Sequence, residues 1–328
     1  SYNRERGSII VGGEAVARSV ASDDELAWNR EYPRGPLYAH VTGYFSFLYG
    51  AGGGLEGAQN DLLSGRSDRL FYRRVSDLLT GKSPVGASLE LTINPAAQSA
   101  AERALGNQRG AVLALDPQTG AILAMANWPT YDPNRYAEFT NGEWANSAIS
   151  QAYEPGSVFK PVTFAAGLDA DKLSSEELFE DTGTLILDNE KIENAEKKSY
   201  GIVTARQALA SSINVVTANI CLRMGSETFY RYLRQFRFGQ YTEIDAGPEN
   251  PGIVKWAGTQ YWSRFDQAAN SFGQGLSATP LQLANAIAAI SNGGTVMQPQ
   301  LVQSLLPNGR VYHAPPPTLG RHTQPTTP

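Results

Sequence analysis

The sequence predicts an α+β fold in two parts, a small mixed N-terminal domain over residues 1–88 and a larger domain over residues 89–328. Three observations carry this reading. The chain has 328 residues, 41% of them hydrophobic, which is enough apolar material for a sizeable core. Segments patterned as strands stand before and after segments patterned as helices, without a regular β-α-β alternation. A shift in composition near Val85-Gly86 marks the boundary between the parts.

The elements follow in order. Arg6-Gly7-Ser8-Ile9-Ile10-Val11-Gly12-Gly13 is a short apolar strand stopped by a glycine turn. Gly52-Gly53-Gly54 predicts a mobile loop. From Asp68 to Thr80 the residues Leu70, Phe71, Val75, Leu78 and Leu79 recur at helical spacing, and Gly81 takes the C′ position. Ser88 to Asn94 alternates as a strand, after which Pro95 opens a helix through Gln98, Ala101 and Leu105. Two β-rich runs between Gly110 and Ala126 flank Asp116-Pro-Gln-Thr-Gly120, a hairpin signal. Long helical segments follow at about 157–170, 204–224 and 278–292, and Ala314 to Pro328 reads as an extended tail rich in Pro and Thr.

Composition excludes several function classes. A net charge of −5 argues against nucleic acid as a main partner, because phosphate binding needs clustered Lys and Arg. The densest basic pieces, Arg66-Ser-Asp-Arg69 and Arg73-Arg74, are short and read as the polar face of a helix. Cys221 has no cysteine to pair with and sits in an apolar run, so it reads as a buried structural thiol. The three histidines, His40, His313 and His322, lie too far apart in sequence to suggest a Ser-His-Asp triad. No His/Cys spacing suits a metal, and no phosphate-binding glycine loop is present. No run of about 18 apolar residues is present. The start at Ser1-Tyr2-Asn3-Arg4, without methionine, reads as a fragment of a longer protein.

The chemistry concentrates in Tyr153-Glu-Pro-Gly-Ser157-Val-Phe-Lys160-Pro. Residues i and i+3 share a helix face, so Lys160 is expected beside the Ser157 hydroxyl. A serine hydroxyl is a poor nucleophile until a base takes its proton, and a lysine is a base only when neutral. Burial lowers a lysine pKa, and the aliphatic run after Lys160 predicts a buried helix. Alone, Ser-x-x-Lys is a common pattern that a capping serine and a solvated lysine explain. A lysine on a buried helix is costly, and that shifts the balance toward function. Ser212-Ile-Asn214 is the second candidate, a hydroxyl and an amide at the mouth of an apolar helix. An N-cap is the competing reading there. A third cluster, Phe272-Gly-Gln-Gly-Leu-Ser-Ala-Thr-Pro280, contains a Thr279 cap and a Pro280 helix start, which suffice to explain it.

These segments together resemble the class B penicillin-binding proteins, for which Ser-x-x-Lys and Ser-x-Asn are signatures. The likeness extends over Leu91-Thr-Ile-Asn94, Gly110 to Met125, Asp132-Pro-Asn134, Tyr153 to Pro161 and Gly275 to Leu283, in the family's order. Asn3-Arg4-Glu-Arg6-Gly7 and Pro36 to Gly43 resemble the non-catalytic pedestal of that family. The resemblance implies an α/β transpeptidase domain of the penicillin-binding protein/serine β-lactamase superfamily on a small pedestal. It further implies a peptidoglycan D,D-transpeptidase, held by an upstream anchor at the outer face of the cytoplasmic membrane. Its substrates would be stem peptides, β-lactams its inhibitors, and division or elongation proteins possible partners, and the resemblance implies no metal or organic cofactor. Ser157 would be the nucleophile, Lys160 the base, Ser212 a proton relay and Asn214 a ligand for the substrate amide. The family's third signature, Lys-Thr-Gly or Lys-Ser-Gly, is missing from its expected place after Pro280, so the larger domain is expected to lack its C-terminal part. Two alternatives stand beside this reading: a hydrolase of the carboxypeptidase or β-lactamase type, and a non-catalytic scaffold or β-lactam sensor.

Overall fold

The structure, a computed structural model, describes residues 5–23, 26–46, 48–67, 85–306, 312–313 and 318–321. The helix expected over Asp68–Thr80 lies outside the described residues, as does most of the Ala314–Pro328 tail. Helices and strands intermingle without the regular β-α-β crossovers of a parallel sheet, and the strand pairings are antiparallel except that of Ile9–Val11 with Ser88–Leu91, so the fold is α+β as the sequence predicts. The chain divides into two compact units, one of residues 1–150, 243–249 and 298–317, the other of residues 151–242, 250–297 and 318–328.

The first unit is built on a sheet of six strands. Their order is Tyr312–His313, Val302–Leu306, Ser88–Leu91, Ile9–Val11, Glu14–Ala21, Trp28–Glu31. Ile9–Val11 runs parallel to Ser88–Leu91, and the other neighbours are antiparallel. Asn94 caps the helix Pro95–Leu105 by accepting from the amides of Ala96 and Ala97, both at 3.0 Å. That helix packs Ala101 on Ala124 and Ala126 of the hairpin formed by Gly110–Leu115 and Ile122–Trp128. Small residues on both surfaces allow the close approach.

The Gly52-Gly53-Gly54 segment is not a mobile loop. Gly50–Gly52 pairs with Tyr44–Ser46, and Gly54 begins the short helix Gly54–Ala58. A Cβ on Gly54 would stand 2.4 Å from the Gly43 nitrogen, so the glycine answers a close backbone approach. The same short helix carries Glu56, fully buried between two arginines. Arg6 Nη2 donates to Glu56 Oε2 at 2.7 Å and Arg30 Nε to Oε1 at 2.6 Å.

The second unit is mainly helical. Its core gathers Phe159, Val162 and Phe164 with Val216, Ile220, Phe229, Leu233 and Phe238. The Phe159 and Phe238 rings meet with centroids 4.9 Å apart. Cys221 is buried, and its burial pushes the thiol pKa well up, away from the reactive range.

The helical segment expected over 204–224 is two helices, Ala205–Ala210 and Asn214–Met224. The break is a Schellman motif, in which Ser212 N donates to Leu209 O and Ile213 N to Ala208 O. Ser212 has φ +54°, in the left-handed region that glycine normally fills at this position. The hydrophobic pattern runs through the turn without a gap, which is why periodicity reads a single segment.

Candidate active site

The approach to Ser157 is fixed from the backbone outward. Tyr153 N donates to Ala278 O at 3.1 Å and Ala278 N to Tyr153 O at 3.0 Å, an antiparallel bridge. Gly156 N donates to Gly273 O at 2.9 Å, and Gly275 N donates to the Glu154 carboxylate at 2.9 Å. The Gly-Gln-Gly stretch, for which a helix start was explanation enough, is thus the strut against which the Ser157 turn is laid. Gly273 has φ +79°, and a Cβ there would fall 2.2 Å from Gly156 O. Thr279 does cap the helix Pro280–Ser291, with Gln282 completing a capping box.

Ser157 does not lie in the first turn of an α-helix. Gly156–Phe159 is a 3₁₀ turn, and the α-helix begins with Lys160 and runs to Asp169. In a 3₁₀ turn residues i and i+3 eclipse, and Lys160 N donates to Ser157 O, so Lys160 stands directly over the serine. Ser157 is exposed whereas Lys160 is buried, at 1% exposure.

Lys160 Nζ donates to Ser212 Oγ at 2.8 Å and also to the Ser212 carbonyl. The left-handed turn at Ser212 aims both oxygens of one residue at one ammonium. Burial lowers the Lys160 pKa from 10.5 to about 8, so a useful fraction is neutral near neutral pH. Among the described residues no hydrogen bond joins the Ser157 hydroxyl to Lys160, so the structure brings Lys160 and Ser212 into direct contact and places Ser157 one turn away.

Asn214 opens the next helix, and its Nδ2 donates to Glu193 O at 2.9 Å. Asn194 holds the same helix end, accepting from Val215 N at 3.1 Å. Sequence reasoning missed Glu193 and Asn194, and with them Asp181. They come from the antiparallel pair Leu178–Asp181 with Gly201–Thr204 and from the end of the hairpin Thr184–Leu187 with Glu190–Glu193 nested inside it, which no motif marks. The one local signal was the turn Asp188-Asn189, whose two positive φ values, 52° and 68°, suit a two-residue hairpin.

The arrangement offers an exposed hydroxyl, a partly neutral amine on the residue one turn later, a second hydroxyl bonded to that amine, and an amide anchored at a helix start. Those are the parts of serine acyl transfer with a lysine base. Among the described residues no cluster of His, Cys, Asp and Glu could hold a metal ion, and no helix is long and apolar enough to cross a membrane.

Comparison with known proteins adds lineage. The model of the penicillin binding protein transpeptidase domain matches residues 110–327, and that of the penicillin binding protein A dimerisation domain matches residues 6–89. The chain is 36% identical to the peptidoglycan D,D-transpeptidase PbpA of Mycobacterium tuberculosis, over 93% of this chain and 66% of that protein. It is 30% identical to stage V sporulation protein D of Bacillus subtilis, over 84% of this chain and 45% of that protein. The chain therefore spans about two thirds or less of the length of these relatives. Among solved structures, the imipenem acyl-enzyme complex of M. tuberculosis penicillin-binding protein A superposes with a TM-score of 0.86 at 32% identity, covering 99% of this chain and 80% of that one. The D,D-transpeptidase domain of a peptidoglycan glycosyltransferase from Eggerthella lenta gives 0.87 at 31% identity, covering 99% and 79%.

Proposed function

We propose that this chain, which belongs to the penicillin-binding protein transpeptidase family, is the acyl-transferring part of a peptidoglycan D,D-transpeptidase with Ser157 as its nucleophile. The observation that carries the reading is the buried Lys160 held on Ser212, one 3₁₀ turn above Ser157.

In the first half-reaction the Ser157 hydroxyl oxygen attacks the carbonyl of the penultimate D-alanine of a stem peptide. Its proton passes to neutral Lys160, directly or by way of Ser212. The peptide bond to the terminal D-alanine breaks, and the leaving amine takes the proton back. In the second half-reaction an amine from a neighbouring stem peptide attacks the ester, gives up a proton to the same base, and releases Ser157 as a hydroxyl. The Ser157 amide, freed of helix partners at the start of its turn, is suited to the oxyanion. Asn214 binds the substrate amide. β-Lactams acylate the same oxygen. Residues 1–88 serve as the pedestal and 89–328 as the transpeptidase domain, working in the cell envelope on the outer face of the cytoplasmic membrane.

The test is a stem pentapeptide ending in D-Ala-D-Ala, supplied with an acceptor amine and the full-length gene product. A cross-linked peptide with one D-alanine released per bond is the expected product. Release of D-alanine with no cross-link, together with rapid loss of a penicillin adduct, would move the assignment to a hydrolase. A stable penicillin adduct with no peptide turnover would move it to a sensor.

A further inference from the structure

The helix Asn214–Met224 begins without a cap of its own. Its N-cap residue is Ile213, whose side chain has no acceptor. The missing acceptor comes from elsewhere in the chain: Asn194 Oδ1 takes the Val215 amide at 3.1 Å. Asn194 is buried at 3% exposure, and its orientation is set by a second buried group, Asp181, at 1%. Asn194 Nδ2 donates to Asp181 Oδ1 at 3.0 Å and Oδ2 at 2.9 Å, and also to Lys198 O at 3.0 Å. With its amine side committed to a carboxylate and a carbonyl, the amide has only one sense in which to lie, carbonyl toward the helix. Asp181 is itself held by Gly183 N at 3.2 Å and Tyr200 N at 2.8 Å. The preceding residue, Glu193, presents the carbonyl that receives Asn214 Nδ2 at 2.9 Å.

Resting on the acyl-transfer reading above, we infer that Asp181 and Asn194 are positioning residues of the reaction, a buried pair that sets the start of the Asn214 helix and thereby the Asn214 amide. The pair touches neither Ser157 nor Lys160. Its two members do different work. Asp181 fixes which way Asn194 faces, and Asn194 both caps the helix and brings the Glu193 carbonyl to Asn214. A buried carboxylate satisfied by amide donors alone has no neutralising partner in this network, so it is retained at a desolvation cost. Setting a substrate ligand at the far end of the network gives that cost a function.

The test is a double-mutant cycle read in the second-order rate constant for acylation by a penicillin, measured on the full chain. Asn194→Ala is expected to slow acylation about tenfold, on the scale of losing a helix cap. In an Asn214→Ala background the same change is expected to have no further effect, because the group being positioned is already gone. The second-order constant of Lys160→Ala should, by contrast, still fall on adding Asn194→Ala. Asp181→Asn, which keeps the shape but removes the double acceptor, serves if Asn194→Ala does not fold and should behave in the same way. A wild type that labels, with Asn194 and Asn214 effects that multiply, would overturn this inference alone. A wild type that never labels would overturn the acyl-transfer reading and the inference with it.

Discussion

Lys160 shows how one side chain's surroundings decide what it can do. Its pKa, lowered to about 8 by burial, leaves about one tenth of the amines neutral at pH 7. A protonated lysine cannot take the serine proton. Acylation by a penicillin should therefore rise roughly tenfold per pH unit below about pH 8 and level off above it, in a profile of kcat/KM type that reports the free enzyme. A flat profile would remove Lys160 from the role of base. The sign of the stability effect follows from the same shift. The folded state sheds its Lys160 proton near pH 8 and the unfolded chain near 10.5, so between those values the unfolded chain binds more protons. The wild type should gain stability relative to Lys160→Met as pH climbs from 8 to 10.5, and hold a constant offset below that window, as measured by urea unfolding of both proteins.

At the scale of the element, turns rather than helices carry the site. Ser212 sits in a left-handed conformation that costs a non-glycine residue about 1 kcal/mol. Ser212→Ala and Ser212→Gly both lose the hydroxyl that meets Lys160, but only the alanine keeps the strain. The glycine variant should be more stable than the alanine variant by about 1 kcal/mol in thermal unfolding, while the two acylate equally slowly. Gly273 is the complementary case. Gly273→Ala combines a positive φ with a Cβ placed 2.2 Å from Gly156 O, and should cost about 2 kcal/mol or more and slow acylation. Gly201→Ala also has a positive φ but meets nothing within 4 Å, so it should cost only about 1 kcal/mol. The chain shows Ser157, Lys160, Ser212 and Asn214 because short spacings along a helix or turn join them in pairs. It does not show Asn194 and Asp181, since the pairing of residues 13 apart depends on how a hairpin folds inside a second strand pair. The 204–224 segment reads as one helix for a related reason: apolar spacing records which side faces the core and is silent on where the backbone reverses.

For the whole molecule, the fold class and most elements were legible because strand alternation, the Asp116–Gly120 turn and the Asn94-Pro95 and Thr279-Pro280 helix starts are local signals. The division into two compact units was not, since residues 243–249 and 298–317 return to the first unit from far along the chain. That unit depends on Glu56, whose carboxyl burial would raise but which the Arg30 and Arg6 guanidiniums hold below the ordinary range. A lowered acid pKa contributes stability above the unfolded value near 4.5, lost as pH falls through the folded one. Glu56→Gln leaves two buried arginines short of their counter-charge and should cost about 3–5 kcal/mol, read as a fall in the denaturant midpoint at pH 7. The proposed reaction turns on a single covalent bond, the ester at Ser157. The measurement that tests it most directly is peptide mapping by mass spectrometry after exposure of the full-length protein to a penicillin. The adduct is predicted on Ser157, lost in Ser157→Ala and strongly slowed in Lys160→Ala; an adduct on any other residue, or none at all, would contradict it.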